Sequence, residues 1–420
     1  MCAQNDLTKE ESIINRTSFK DSHTFLKNSF LGDWSGILDI GIAEINIVLH
    51  LQEDSNGSVS GTFDYLQEKM YGLALDSLLI QDKSLKFEIK KFLVKFEGVL
   101  NNNNLQISGQ WSQHGKLFSL NFEKGKKSID LPNRPQEPKL PYPYQEEIIS
   151  FDNQDVTLSG TFTHPFSKGP FPVVILIAGA GPSDRDASIF GHKPFWILAD
   201  YLTRQGIAVL RFDKRGCGKS TGNFNNATTE DFADDVLAGI EYLQSRKDID
   251  SKQIGLIGHS EGGIIAPMVA LESENVAYII LMAACGVNGE EVMCAWSESI
   301  EKDKGSTLES IERDRKYKKE MFAILKNEQN FDTAATQLRT IILSHTCTGE
   351  NHELSPFESE AIDTEINHLN THWFRYFLTY DPAVALRKIQ IPVLSLNGEL
   401  DRQILSQQNL RVLAVSVLKG

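Results

Sequence analysis

Apolar and polar positions alternate along "INIVLHLQED", which places Ile45, Ile47, Leu49 and Leu51 on one face. A period of two predicts a half-buried strand. Asn56-Gly57 follows and predicts a hairpin turn, because both residues tolerate positive φ. "VSGTFDYL" then returns with Val59, Phe63 and Tyr65, and "LKFEIK" and "LQISGQW" repeat the alternation around the turn-prone "NNNN" at 101–104. Short alternating strands at this spacing predict a small all-β domain, a barrel or a sandwich, over residues 29–125. Trp34 and Trp111 are expected in its core rather than on a ligand-stacking platform.

The pattern changes at "LPNRPQEPKLPYPY", where five prolines mark residues 126–144 as a stiff linker. From residue 145 a hairpin ("EEIISFDNQDVTLSGTF") leads into strand–helix alternation. "PVVILIAG" is continuously apolar, as a buried parallel strand requires. "FWILADYLTRQG" carries Phe195, Leu198, Ala199 and Leu202 at helical spacing and closes on Gly206. "IAVLRFD" is the next strand. Thr228 and Asp231 open "TTEDFADDVLAGIEYL" with capping-box spacing. "IGLIG", "AYIILMAA" and "IPVLSLNG" are further strands, and "GIIAPMVAL" is a helix. The expectation is a doubly wound α/β sheet over 145–420, with ligand chemistry at the carboxyl ends of its strands. Between about 287 and 380 the alternation gives way to charged helical sequence, which predicts a helical lid.

Composition narrows the function classes. A chain of 420 residues that is 41% hydrophobic has room for two cores. A formal net charge of −14 argues against nucleic acid, whose footprint is basic, and against an anionic membrane surface. No apolar run has the length to span a bilayer. Five cysteines without paired spacing suggest neither a disulfide framework nor a metal site, and nothing calls for a cofactor. The polar residues 1–28 lack the basic start and apolar centre of a signal peptide. "CAQN" nevertheless looks like the tail of one. Two readings stand: an ordinary cytoplasmic N-terminus, or a truncated export signal that places the protein in a periplasm or outside the cell.

The chemistry gathers around "IGLIGHSEGG". In Gly258-His259-Ser260-Glu261-Gly262 a serine stands between a predicted strand and a predicted helix, the context of a nucleophile elbow. An oxyanion hole needs two backbone N–H groups aimed at the developing charge. Glu261 supplies the first. The loop after "VVILIAG" supplies the second, where Gly179 and Gly181 let the backbone approach; Ala180 is the expected donor, with Gly181 as the alternative. "RFDKRGCGKST" is not a phosphate loop, because Asp213 stands where that motif needs glycine. Arg211, Asp213, Arg215 and Gly216 are expected to fix a tight loop through charge-assisted hydrogen bonds. Asp184-Arg185-Asp186 has two readings, loop-locking ion pairs or a contact for a polar substrate. Asp401, just past the last strand, is the candidate acid of a triad; its alternative is to cap the following helix.

No histidine follows Asp401 in the sequence. His259 should point away from the serine oxygen. His192 and His372 are the candidate stand-ins, but neither is placed to be oriented by Asp401. His23, His50 and His114 belong to the β zone, His164 to the hairpin, and His345, His352 and His368 to the lid region.

With these residues in view, the chain resembles bacterial α/β-hydrolases of the esterase type, the serine-aminopeptidase-like or prolyl-oligopeptidase-like members. "GAGPSDRD", "GHKPFWILADYLTRQGIAVLRFDKRGCGKSTG", "ATTEDFADDV", "IGLIGHSEGGIIAPMVA", "WFRYFLTYDPA" and "PVLSLNGELD" carry the resemblance over most of 145–405. "GDWSGIL" and "ISGQW" resemble the β-rich domain such proteins often carry. The resemblance implies a serine esterase with Ser260 as nucleophile, Asp401 as acid, a helical lid and short-chain acyl esters as small-molecule substrates. It also implies a base in an "NH" loop after one more helix and strand. The domain is therefore expected to be C-terminally incomplete and nearly inactive as it stands. "VMCAWSES" lacks the glutamine expected near Ala295 or Trp296. A serine aminopeptidase-like peptidase and a non-catalytic binding protein are the competing expectations, and the oligomeric state is open.

Overall fold

The computed structural model describes residues 28–41, 43–125, 133–346 and 354–419. The expectations for the N-terminal segment, Cys2, His23, Cys347, His352 and much of the linker therefore fall outside the described residues. Two compact units emerge. One is built from the chain up to Asn133 and a later stretch ending at Glu365; the other begins at Arg134 and resumes at Ile366.

The first unit is one antiparallel sheet of nine strands: β1 (Gly32–Asp39), β2 (Glu44–Glu53), β3 (Val59–Tyr65), β4 (Met70–Ala74), β5 (Ser77–Gln81), β6 (Ser84–Ile89), β7 (Val94–Leu100), β8 (Gln106–Gln113) and β9 (Lys116–Lys124). Their order is β4-β3-β2-β1-β9-β8-β7-β6-β5. Two hairpin runs are thus joined where the first strand meets the last, with Gly36 opposite Phe122. The architecture expected as a barrel or a sandwich is a single curled sheet, a half-barrel whose outermost strands β4 and β5 do not pair. Ile45, Ile47, Leu49 and Leu51 are all buried, as their alternation predicts, and Trp34, Phe87, Phe96, Trp111 and Phe122 fill the concave core. Trp34 is fully buried, and its indole N–H donates to the Phe30 carbonyl at 2.6 Å.

Within this sheet His50 is held between two carboxylates, Nδ1 to Asp33 at 2.6 Å and Nε2 to Asp64 at 3.0 Å. Burial lowers its pKa, but the hydrogen bonds and charges of Asp33 and Asp64 outweigh burial and raise it. A histidine with a raised folded pKa stabilises the fold fully below its unfolded pKa of about 6.5, and the contribution disappears as pH rises through the folded value. Melts of the whole chain and of His50→Gln between pH 5.5 and 9 should show the widest Tm gap at the acid end. A gap independent of pH would contradict the charged pairing.

The second unit carries seven strands, β10 (Tyr144–Asn153), β11 (Val156–Pro165), β12 (Phe171–Ile177), β13 (Ala208–Phe212), β14 (Ile249–His259), β15 (Val276–Met282) and β16 (Val393–Leu396). The order is β10-β11-β13-β12-β14-β15-β16. β10 and β11 form the antiparallel hairpin and β11 joins β13 antiparallel; the other pairings are parallel. Continuous apolarity in β12 has a direct cause. Val173 and Ile175 face one core with Phe232, Val236, Ile240, Ile265 and Val269 from the helices Thr229–Ser245 and Gly262–Glu272. Val174 and Leu176 face the other core with Phe195 and Ala199 from the helix Pro194–Arg204. The capping pair forms as its spacing predicts, with the Thr228 amide donating to Asp231 at 2.7 Å.

β13 lies on one side of β12 and β14 on the other, so the winding direction reverses at β12. The crevice this opens, between the carboxyl ends of β12 and β14, is where an open α/β sheet places its ligand. Between β15 and β16 come the helices Gly289–Asp303, Leu308–Asn327, Phe331–Thr346, Pro356–Leu369, His372–Thr379 and Pro382–Leu386. A last helix, Ser406–Lys419, follows β16. No helix among the described residues is long and apolar enough to cross a membrane.

Candidate active site

β14 ends at His259, the next helix begins at Gly262, and Ser260 makes the turn with φ +53°. A left-handed conformation is strained for serine and persists only where the surroundings fix it. They do so here. The Ser260 amide donates to the Met282 carbonyl at 2.9 Å, and the Ser260 carbonyl accepts from Gly263 at 2.9 Å. The flanking glycines are sterically required: a Cβ on Gly258 would overlap the Gly262 carbonyl, and one on Gly262 would overlap the Ile177 carbonyl.

The loop after β12 comes up beside this turn. A Cβ on Gly179 would lie 3.1 Å from the Ser260 Cβ and 3.2 Å from Nδ1 of His259. Gly181 has φ +90°. Among the described residues, neither the Ala180 nor the Glu261 amide donates to a backbone carbonyl. Glu261 itself is buried, with its carboxylate paired to Lys214 Nζ at 2.9 Å.

The loops are pinned from below by buried charge. The Asp213 carboxylate accepts from Arg185 Nη2 at 2.7 Å and from the amides of Arg185 and Lys219 at 2.8 and 2.9 Å. Burial raises the Asp213 pKa, but these donors overcome it and hold the carboxyl below its usual range. Arg211 pairs with Asp186 at 2.9 Å, and Arg215 with Asp235 at 2.7 Å. Arg185 and Asp186 thus make loop-locking ion pairs, one of the two readings of this stretch, while Asp184 accepts from the Ser188 hydroxyl at 2.7 Å.

Asp401 stands in the turn after β16, and its Oδ1 accepts from the amides of Gln403 and Ile404 at 3.0 and 2.9 Å. These are bonds that stabilise the turn. Its charge also reaches His259: burial lowers the pKa of that imidazole, and Asp401 opposes the shift. His259 and His192 line one cavity of about 540 Å³ together with Phe195, Ile197, Leu198, Tyr201 and Met282. Burial and Arg134 lower the His192 pKa, and its buried Nδ1 has no hydrogen-bond partner among the described residues. His372 instead packs on Phe331, with ring centroids 4.8 Å apart.

Residues 195–337 match the family described as Serine aminopeptidase, S33. The strand order, the strained serine turn and this match decide the fold. The chain carries an α/β-hydrolase domain. Esterase EstD of Thermotoga maritima is 30% identical over 211 residues, which are 50% of this chain and 47% of the esterase. The uncharacterized protein YfhR of Escherichia coli O157:H7 is 30% identical over 146 residues, 34% of this chain and 48% of that protein. The chain thus spans about half the length of these curated relatives. Among solved structures, the Pyrococcus furiosus esterase Pf2001 is 17% identical with a TM-score of 0.42, covering 70% of this chain and 85% of that one.

Three side chains of the α/β-hydrolase domain were not singled out by sequence reasoning: Lys214, Thr229 and Trp373. Thr229 Oγ1 and Trp373 Nε1 donate to Glu261 Oε1 at 2.8 and 2.6 Å. Lys214 lies inside "RFDKRGCGKST" and Trp373 inside "WFRYF", so both stretches drew notice. Nothing in their local spacing pointed to a shared carboxylate.

Proposed function

We propose that the chain is a serine hydrolase of the carboxylesterase type, cleaving short-chain acyl esters through an acyl-enzyme on Ser260. The observation that carries this reading is the left-handed Ser260 at the strand–helix turn, which sets the side chain at the crevice where the sheet winding reverses. The Ser260 oxygen attacks the ester carbonyl, the bond to the alcohol breaks, and water later releases the acid. The amides of Ala180 and Glu261 receive the oxyanion of each tetrahedral intermediate. Gly258 and Gly262 allow the turn; Gly179 and Gly181 allow the loop. Asp401 contributes negative charge on the side of His259. The helices Gly289–Asp303, Leu308–Asn327 and Phe331–Thr346 act as a lid over the acyl-binding space.

His192, a candidate stand-in base, shares one cavity with His259. A second reading, removal of an amino-terminal residue from peptides, is favoured by the description of the matching family. Aryl acetates and aminoacyl anilides should be assayed side by side, with Ser260→Ala as the blank. Ser260-dependent release from the acetates alone supports the esterase. Release from the anilides alone would replace it with the peptidase.

A further inference from the structure

We infer that Lys214 is a positioning residue that sets both N–H donors of the oxyanion hole from a single buried ammonium, with Trp373 linking that frame to the helical insertion. This deepens the serine-hydrolase reading and rests on it. Lys214 Nζ donates to the Gly179 carbonyl at 2.7 Å and to Glu261 Oε2 at 2.9 Å. The Gly179 carbonyl and the Ala180 N–H belong to one planar peptide unit, so fixing the oxygen fixes the direction of the N–H. A cation at the oxygen end also polarises the unit and strengthens its N–H as a donor. The second contact acts on the other donor. Glu261 carries the remaining amide, and its carboxylate is clamped by Lys214, Thr229 and Trp373 together.

Lys214 is itself held firmly. Its side chain is 6% exposed, its ammonium lies 4.2 Å from the ring centroid of Phe232, and its amide donates to the Ser183 carbonyl at 3.1 Å. That last bond ties it to the same loop that carries Ala180. A lysine that only neutralised Glu261 would not need the Gly179 carbonyl. Trp373 lies in the first turn of the helix His372–Thr379, whose Tyr376 hydroxyl donates to Glu230 at 3.1 Å, so its indole reaches Glu261 from a braced segment. A displacement of that segment would then be felt at the Glu261 amide.

The test uses the full chain and three variants: Lys214→Met, Lys214→Met combined with Glu261→Gln, and Trp373→Phe. The double variant removes both charges and so avoids leaving a buried carboxylate unpaired. Two quantities are read, the rate at which a fluorophosphonate modifies Ser260 and the amide resonances of Ala180 and Glu261. Loss of one oxyanion donor costs roughly 10²–10³ in rate, so the lysine variants should slow modification about 100-fold, with Trp373→Phe falling between them and wild type. Both amide resonances should move in the lysine variants, and that of Glu261 in Trp373→Phe. A folded double variant with unchanged rate and unchanged resonances overturns the inference. Absence of any Ser260 adduct in wild type overturns the serine-hydrolase reading instead; the resonances then decide the placement of the two amides by themselves, and their constancy in the lysine variants overturns it.

Discussion

Ser260→Ala should reduce release from an aryl acetate to the solution background, and added imidazole should widen the gap between this variant and the parent chain. The serine is placed for attack, while His192 Nδ1 has no hydrogen-bond partner among the described residues and His372 packs on Phe331. In a serine protease, removing the catalytic histidine alone costs roughly 10⁶ in kcat, about as much as removing the entire triad. A positioned base contributes typically about 10²–10⁴-fold, and imidazole in solution should restore part of that. The rate with imidazole must be corrected for direct hydrolysis by imidazole, for which Ser260→Ala is the natural blank. Saturating, Ser260-dependent rescue is the expected result. Fast turnover without imidazole would show that a positioned base is already in place and direct attention to His259 and His192, the imidazoles that share the adjoining cavity.

Asp213→Ala should be the most destabilising single change at the loops. Asp213 is buried and receives Arg185 through Nε and Nη2 as well as two backbone amides. Arg185 also donates to Thr161 and Ser159, so its guanidinium cannot swing out to water without breaking those bonds. Removing one partner of a buried ion pair costs about 3–5 kcal/mol, because the other charge is left uncompensated. The same network sets a pH dependence. The folded pKa of Asp213 is depressed, so its contribution is present above the unfolded value of about 3.9 and is lost as pH falls through the folded one. Denaturant melts at pH 7 and pH 3 should show a large difference between wild type and variant at the first and a smaller one at the second. Activity should fall with stability, since Lys214 is the next residue and shares the turn. A variant as stable as wild type at pH 7 would show that the Asp213 network does not anchor the loops.

Much of the fold is legible because its signals are local. Alternation in β2 marks one buried face, and continuous apolarity in β12 marks two. Asn56-Gly57 turns between β2 and β3, with Gly57 at φ +80°. The serine turn is legible for the same reason: strand, glycine, serine, glycine and helix lie within a few residues. Closure of the first unit is not legible, because it depends on β1 meeting β9 across most of the sheet's sequence. Curling instead of closure into a barrel depends on whether β4 reaches β5, which no local pattern encodes. The cluster around Glu261 hides for a related reason. Its contacts span 35 residues from Lys214 to Gly179, 47 from Lys214 to Glu261 and 112 from Glu261 to Trp373. Asp401 was legible as a turn residue after a strand, but sequence could not show that two amides of its own turn occupy one carboxylate oxygen.

The central claim is that Ser260 is the reacting nucleophile, and one measurement addresses it directly. The full chain is incubated with a fluorophosphonate in the presence of imidazole, digested and sequenced by mass spectrometry. A single adduct on the peptide carrying Ser260, absent from Ser260→Ala, is the predicted result. An adduct on another residue, or none on a folded chain, would contradict the account.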